Sequence, residues 1–217
     1  MSPLDPAGFA AETGVSRETL ARLEAYAELL AQWNERINLV SRDSLRDPWR
    51  RHFLDSAQLV PFIPTSARSL IDLGSGAGFP GLVLAVLGVP GVKLVEADSR
   101  KCAFLREAAR IAAAPLNILN TRIEDAPAHP VDVVTARGCA PLDRLLALAE
   151  GFIGPQTACL FLKGERAAEE LTAARRAWTI AASFHLSRSD PRGVILSLEQ
   201  IARRGDGWSG GAEGGGA

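Results

Sequence analysis

Residues 69 to 81 read Ser-Leu-Ile-Asp-Leu-Gly-Ser-Gly-Ala-Gly-Phe-Pro-Gly, an aspartate inside a short apolar run that breaks into closely spaced glycines. The apolar run predicts a buried strand, and the glycines let the backbone turn out of it and approach a ligand with no Cβ in the way. Two ligand chemistries fit this pattern. Asp72-x-Gly74-x-Gly76-x-Gly78 is the frame of an S-adenosylmethionine loop, whereas Gly76-x-Gly78-x-x-Gly81 matches the dinucleotide fingerprint. The fingerprint begins where the strand ends, and Leu73 puts that point at Gly74, so the dinucleotide frame starts two residues late. Asp72 would repel a pyrophosphate and attract an ammonium and a sulfonium. Pro80, which has no N–H, makes the following helix start a poor anion cradle. Frame and charge together select the methyl donor over NAD.

Further along, Glu96 closes the next apolar run about 20 residues beyond Gly74, where an acidic side chain can accept hydrogen bonds from both ribose hydroxyls of an adenosine. Asp98 is its near alternative. Arg42, Arg46 and Arg50 recur every four residues beside Arg51 and predict a basic ridge that could follow an RNA backbone, or a solvated surface face. His52 and Asp55 stand three apart on one helical face. They fit a substrate-side or cofactor-gating pair, but because the chemistry asks for no base a hydrogen bond that docks the N-terminal cap is the favoured reading. His129 and His185 have no partner at motif spacing and read as structural.

The elements that must position these groups follow from periodicity. Leu20, Leu23, Ala27 and Leu30 recur at helical spacing after Ser16 and Thr19, predicting an amphipathic helix over 16–33. A second helix is expected over 47–59, with Pro48 in its first turn and Pro61 beyond its end. Residues 1–65 therefore form a helical cap. From Ser66, short apolar runs at 70–73, 92–96, 116–120, 131–135 and 159–162 alternate with helical segments at 81–87, 99–113, 142–152 and 165–178. That alternation is the signature of parallel βαβ units. The runs at 180–186 and 194–198 have no helix between them and predict a terminal antiparallel hairpin. The expected fold is α/β and Rossmann-like, a class I methyltransferase core with a mostly parallel seven-stranded sheet over residues 66–204. The glycine-rich stretch 205–217 is expected to be disordered.

Composition narrows the classes. A chain of 217 residues holds one large α/β core and a small appendage. No apolar run approaches the ~18 residues of a membrane span, and the start Met-Ser-Pro-Leu-Asp-Pro lacks a basic leader region, so a cytoplasmic protein is expected. Cys102, Cys139 and Cys159 are widely spaced without a Cys-x-x-Cys pair, which fits reduced thiols and no metal. The net charge of −1 gives no global nucleic-acid signal, so an RNA site must be local.

The order Asn38-Leu39-Val40-Ser41, Arg51-His52-x-Leu54-Asp55-Ser56, Asp72 to Gly81, Arg122-Ile123-Glu124, Thr135-Ala136-Arg137 and Leu162-Lys163-Gly164 resembles the RsmG (GidB) family of bacterial small-subunit rRNA guanine-N7 methyltransferases, from about Leu20 to Leu198. The resemblance implies that Gly74, Phe79, Ile123, Glu124 and Arg137 contact S-adenosylmethionine, with Glu96 at the ribose. Its implied target is the guanine at position 527 of 16S rRNA, in the 530 loop, and its implied partner the 30S subunit or an assembly intermediate, met by a monomer. Guanine N7 carries a free lone pair, so attack on a sulfonium methyl needs no general base. Arg137 and Lys163, at predicted strand ends, are candidates to position the guanine edge or flanking phosphates, and Arg51, His52 and Lys163 to meet RNA. A structural ion pair is the competing reading for both Arg137 and Lys163. A small-molecule methyltransferase shares the same core and would differ in having a closed apolar pocket.

Overall fold

The computed structural model describes residues 3–205, so nearly all of the glycine-rich stretch lies outside the described residues. Helices α1 (Pro6–Thr13) and α2 (Arg17–Asn34) open the chain. Asp5 caps α1 by accepting from Gly8 N, and Ser16 caps α2 by accepting from Thr19 N. Helix α1 escapes periodicity analysis because it is short and buries only Phe9.

The helix expected over 47–59 is broken into pieces. Ser44–Arg46 is a 3₁₀ turn, Asp47 leaves helical geometry at φ −143° and ψ 62°, Trp49–Leu54 is π-helical, and α3 (Asp55–Ala57) is one turn. Trp49, His52, Phe53 and Leu54 are all buried, so apolar residues crowd successive positions where an α-helix would present one stripe.

The sheet follows as β1 (Leu70–Leu73), α4 (Gly81–Val86), β2 (Val92–Glu96), α5 (Ser99–Ile111), β3 (Leu116–Asn120), β4 (Val133–Arg137), α6 (Leu142–Ala149), β5 (Ala158–Lys163), α7 (Ala167–Ala174), β6 (Trp178–Leu186) and β7 (Val194–Arg203). The spatial order is β3-β2-β1-β4-β5-β7-β6. Strands β1 to β5 are parallel, and β7 runs antiparallel to both neighbours, closing the expected hairpin with β6. Strand β1 is buried at every position, as a central parallel strand covered on both faces must be. Its neighbours β2 and β4 lie on opposite sides, so the chain's winding reverses there and a crevice opens beyond the strand carboxyl ends.

The cap contributes to one of the two main apolar clusters rather than forming a core of its own. Phe9, Leu23, Tyr26, Leu30 and Phe53 pack in the same cluster as Leu82, Leu94, Phe104 and Leu105 of the sheet layer. Burying an aromatic such as Phe53 or Phe104 contributes about 2–3 kcal/mol. The hydroxyl of Tyr26, the single tyrosine of the chain, donates to Ala77 O inside the glycine loop.

Candidate functional site

Two cavities open along the carboxyl ends of the strands. The smaller, of about 290 Å³, lies over β2 and is lined by Gly74, Val95, Glu96, Ile123, Glu124 and Leu148, among others. The larger, of about 440 Å³, lies between the cap, the end of β4 and the β6–β7 loop, and is lined by Arg51, His52, Asp55, Arg137, Lys163 and Asp190, among others.

The smaller cavity is built by strand ends. Glu96, buried at the end of β2, accepts from Gly76 N through Oε2 and from Asp98 N through Oε1, both at 2.8 Å. The carboxylate thus braces the glycine loop. Gly74 adopts φ +67°, and a Cβ there would lie 2.8 Å from Cys139 Sγ, so glycine lets the loop turn and pack closely against Cys139. Apolar Val95, Ile123 and Leu148 beside the Glu96 and Glu124 carboxylates suit a flat, weakly polar ring joined to a diol, which is the chemistry of an adenosine. Glu124 sits 3.6 Å from Arg122 at the rim, and its carboxyl titrates below the usual range through a backbone hydrogen bond and that guanidinium.

Other residues of the glycine motif shape the loop without lining either of these two cavities. Asp72 is fully buried, accepting from Thr135 Oγ1 at 2.8 Å and Gly81 N at 3.4 Å. Burial raises its carboxyl to about 6 against those hydrogen bonds. Gly78 turns at φ +94° beneath Tyr26, whose hydroxyl a Cβ would meet at 2.8 Å. Gly76 offers its N–H to Glu96, as described above. The ring of Phe79 is buried between His52, stacked at 4.8 Å, and the Arg137 guanidinium, 4.9 Å above its centroid. The ring of Phe79, which the resemblance counts among the donor contacts, is a seat for Arg137 in this structure.

In the larger cavity Arg137 Nη1 donates to Arg51 O at 3.0 Å and to Asp55 Oδ2 at 3.3 Å. Asp55 also accepts from Gln58 Nε2 and Ser189 Oγ. His52 is buried, and burial with the nearby charges of Arg137 and Arg51 lowers it to about 3, so the ring is neutral. Ser44 Oγ donates to Ser41 O, which leaves His52 to donate its Nε2–H to Ser44 Oγ and assigns the tautomer. Its Nδ1 is buried without a hydrogen-bond partner among the described residues. Lys163 Nζ is held by Ala140 O at 2.7 Å and Glu170 Oε2 at 2.8 Å, behind the segment that follows β4. Its ammonium is an ion-paired brace in this structure.

The basic ridge does not form. Arg42 lies in a turn, Arg46 ends the 3₁₀ turn beside Asp43, and Arg50 folds inward onto Asp47 at 3.3 Å with its side chain 15% exposed. Four-residue spacing aligns side chains only along a continuous helix, and Asp47 interrupts it. Of the basic residues near it, Arg51 alone reaches the larger cavity. His129 bonds Lys93 and His185 packs on Phe62, as structural residues would. Sequence reasoning missed Tyr26, Gln58, Ser189 and Asp190, whose roles depend on contacts between distant segments. Tyr26 alone carried a signal, as the one tyrosine on the apolar side of α2.

Residues 19–191 match the family model of rRNA small subunit methyltransferase G, known as GidB. The chain belongs to this family. Among curated relatives named ribosomal RNA small subunit methyltransferase G, that of Paramagnetospirillum magneticum is 54% identical over 200 residues, covering 92% of this chain and 98% of the relative. That of Rhodospirillum rubrum is 56% identical over 200 residues, covering 92% and 100%. In fold, this family member is similar to the ribosomal protein L11 methylase of Lactobacillus delbrueckii subsp. bulgaricus, with TM-score 0.55 at 14% identity over 67% of this chain and 76% of that one. It is similar also to the glycopeptide N-methyltransferase MtfA complexed with S-adenosylmethionine, with TM-score 0.56 at 12% identity over 68% and 93%. The GidB-family chain thus has the Rossmann-like fold of class I methyltransferases. Among its described residues no helix is long and apolar enough to cross a membrane.

Proposed function

We propose that this protein methylates N7 of a guanine in 16S rRNA, with S-adenosylmethionine as donor and the small ribosomal subunit or its precursor as substrate. The observation that carries the donor assignment is the pairing of Glu96 with the side-chain-free backbone of Gly74 in the lining of one small cavity. Family membership supports the rRNA substrate, and the motif resemblance supports the guanine at position 527. A cytoplasmic monomer fits this reading.

In that assignment Glu96 accepts from the ribose hydroxyls, Ile123 and Val95 cover the base, and Glu124 stands at its polar edge. The bound donor supplies an electrophilic methyl on sulfur. This chain's residues then have one task, which is to hold the guanine in line and to keep it there. N7 has no proton to lose, and His52, the histidine lining the larger cavity among the described residues, is held by burial and its arginine neighbours at about 3, too weak a base to be needed or used, so no general base is assigned. Arg137, seated on Phe79 and pinned by Asp55, presents a fixed guanidinium beside the larger cavity, suited to the O6 edge of a guanine or to a phosphate. Pre-set geometry of this kind lowers the barrier by supplying orientation before reaction.

Transfer of a labelled methyl group to small ribosomal subunits from cells lacking the protein, followed by mapping of the modified nucleotide, tests the reading. Label at a guanine N7 in 16S rRNA is expected. Label elsewhere, or none, would sink it. Calorimetry with S-adenosylhomocysteine and with NAD checks the donor independently, and binding of NAD alone would overturn that half.

A further inference from the structure

Three cations line the larger cavity among the described residues, and each is already paired. Arg137 is held by Asp55, Lys163 by Glu170, and Arg51 by Asp190 at 2.5 Å. A polyanion entering this cavity meets guanidinium and ammonium groups whose charge is already answered by carboxylates. Each still has N–H groups for a further acceptor, but a phosphate beside an intact pair shares that charge with a carboxylate that repels it, so it gains a full ion pair only where one pair opens.

The pairs differ in what opening costs. Lys163 and Glu170 are 8% and 24% exposed, and Arg137 and Asp55 are 21% and 16% exposed, so separating either strands charge in a poorly hydrated place. Arg51 is 46% exposed against 22% for Asp190, and water screens that pair most. The two partners also differ in freedom. Asp190 Oδ1 accepts from Arg192 N at 2.9 Å, and its loop is tied to the cap through Ser189 to Asp55 and Arg188 N to Gln58. Arg51 reaches it on a long flexible stem from the other wall. When the pair opens, the carboxylate stays and the guanidinium swings.

We propose that Asp190 stands in for a phosphodiester of the substrate RNA, holding Arg51 at the mouth of the larger cavity until an RNA phosphate takes its place as the partner of Arg51. This rests on the assignment of the larger cavity to rRNA. Asp190 then acts as an affinity filter. An isolated phosphate contact gains little, because it only exchanges one anion for another, whereas an RNA engaging the cavity at several points drives the exchange. The bonds from Arg51 and Arg192 N also keep the Asp190 carboxyl below the usual range, so the stand-in stays charged across neutral pH.

A double-mutant cycle tests this, with binding of the full chain to small ribosomal subunits from cells lacking the protein, measured at several salt concentrations. Arg51→Gln should weaken binding roughly tenfold, as loss of a charged hydrogen bond does, and make the logarithmic salt slope shallower by about 0.7. Asp190→Asn should tighten binding roughly 2- to 5-fold, the scale of an exposed ion pair. In the Arg51→Gln background, Asp190→Asn should give clearly less gain, since only long-range repulsion is left to relieve. Equal tightening in both backgrounds would show only long-range repulsion of RNA by Asp190 and would overturn the proposal, as would unchanged or weaker binding by Asp190→Asn alone. Affinity for S-adenosylhomocysteine should be the same in all four proteins, which controls for folding. If the unaltered protein fails to bind the particles at all, the rRNA assignment falls, and this inference with it. Failure of the stand-in alone leaves wild-type binding intact.

Discussion

The smaller cavity is assembled from the ends of neighbouring parallel strands, while the larger one is assembled from segments that lie far apart along the chain. Gly74, Glu96 and Ile123 each follow a strand of one continuous parallel set, and their places are fixed by the sheet itself. Arg51, Arg137, Lys163 and Asp190 come from the cap, β4, β5 and the β6–β7 loop, and ion pairs hold them in register. A site made by sheet topology should tolerate changes in the other site, whereas a site made by side-chain pairs should respond to loss of any one partner.

The largest effect that could break this contrast is at Glu96. Glu96→Ala removes both the ribose acceptor and the brace on Gly76, and should weaken S-adenosylhomocysteine by about 3 kcal/mol, the upper range for charged hydrogen bonds. Calorimetry would register that loss. With no donor present, affinity for small ribosomal subunits should not change, and if it fell in parallel the build of one cavity would depend on the other.

Next in size is an acid response from the larger cavity. His52 sits at about 3 in the folded protein against 6.5 when free, so its contribution is complete above pH 6.5 and is lost as pH falls towards 3. Asp72 runs the other way. At about 6 against 3.8, its buried charge is no burden below pH 3.8, and the destabilisation grows as pH rises from 3.8 to about 6 and is complete above that. Urea unfolding between pH 7 and 4.5 should therefore show His52→Gln losing about 2 kcal/mol less stability than the unaltered protein. Identical pH slopes would mean that the ring takes up its proton without penalty.

A smaller effect concerns the joint between cap and glycine loop. Tyr26→Phe leaves Ala77 O without its buried donor and should cost about 1.5 kcal/mol in thermal or denaturant unfolding. Donor affinity should fall with it, since the loop loses its clamp. Smallest of all is Arg46→Ala, whose side chain is 85% exposed beside Asp43 and far less constrained than Arg51. Particle affinity should stay within about twofold, as for most exposed ion pairs. A drop comparable to that of Arg51→Gln would restore the basic ridge as an RNA contact.

The same contrast governs what could be read from sequence. Strands β1, β2 and β3 fall on the residues expected, because parallel strands covered by helices appear as short apolar runs between turns. Strand β7 runs five residues past its expected end, since the outer part of the hairpin carries Glu199, Gln200 and Arg203, which periodicity does not mark as strand. Strand β4 begins two residues later than expected, because Asp132 is spent accepting from Ser69 and Arg68. The glycine motif identified the smaller cavity, yet it did not reveal that Asp72 and Phe79 support the loop from below. The partners of the larger cavity were not legible at all. Nothing in the spacing of Arg51 and Asp190 announces that they meet, for their encounter depends on the closing hairpin.

The segment leaving β4 has a further consequence. Arg137 and Gly138 line one cavity and Cys139 lines the other, so two ligands share a wall only three residues thick. Any shift of that wall on donor binding enters the free energy of RNA binding as well. Linkage requires that the factor by which donor alters RNA affinity equal the factor by which RNA alters donor affinity. The affinity for donor with RNA bound and the affinity for RNA with donor bound are then two readings of one coupling constant, set by how stiffly Asp55 and Phe79 hold Arg137.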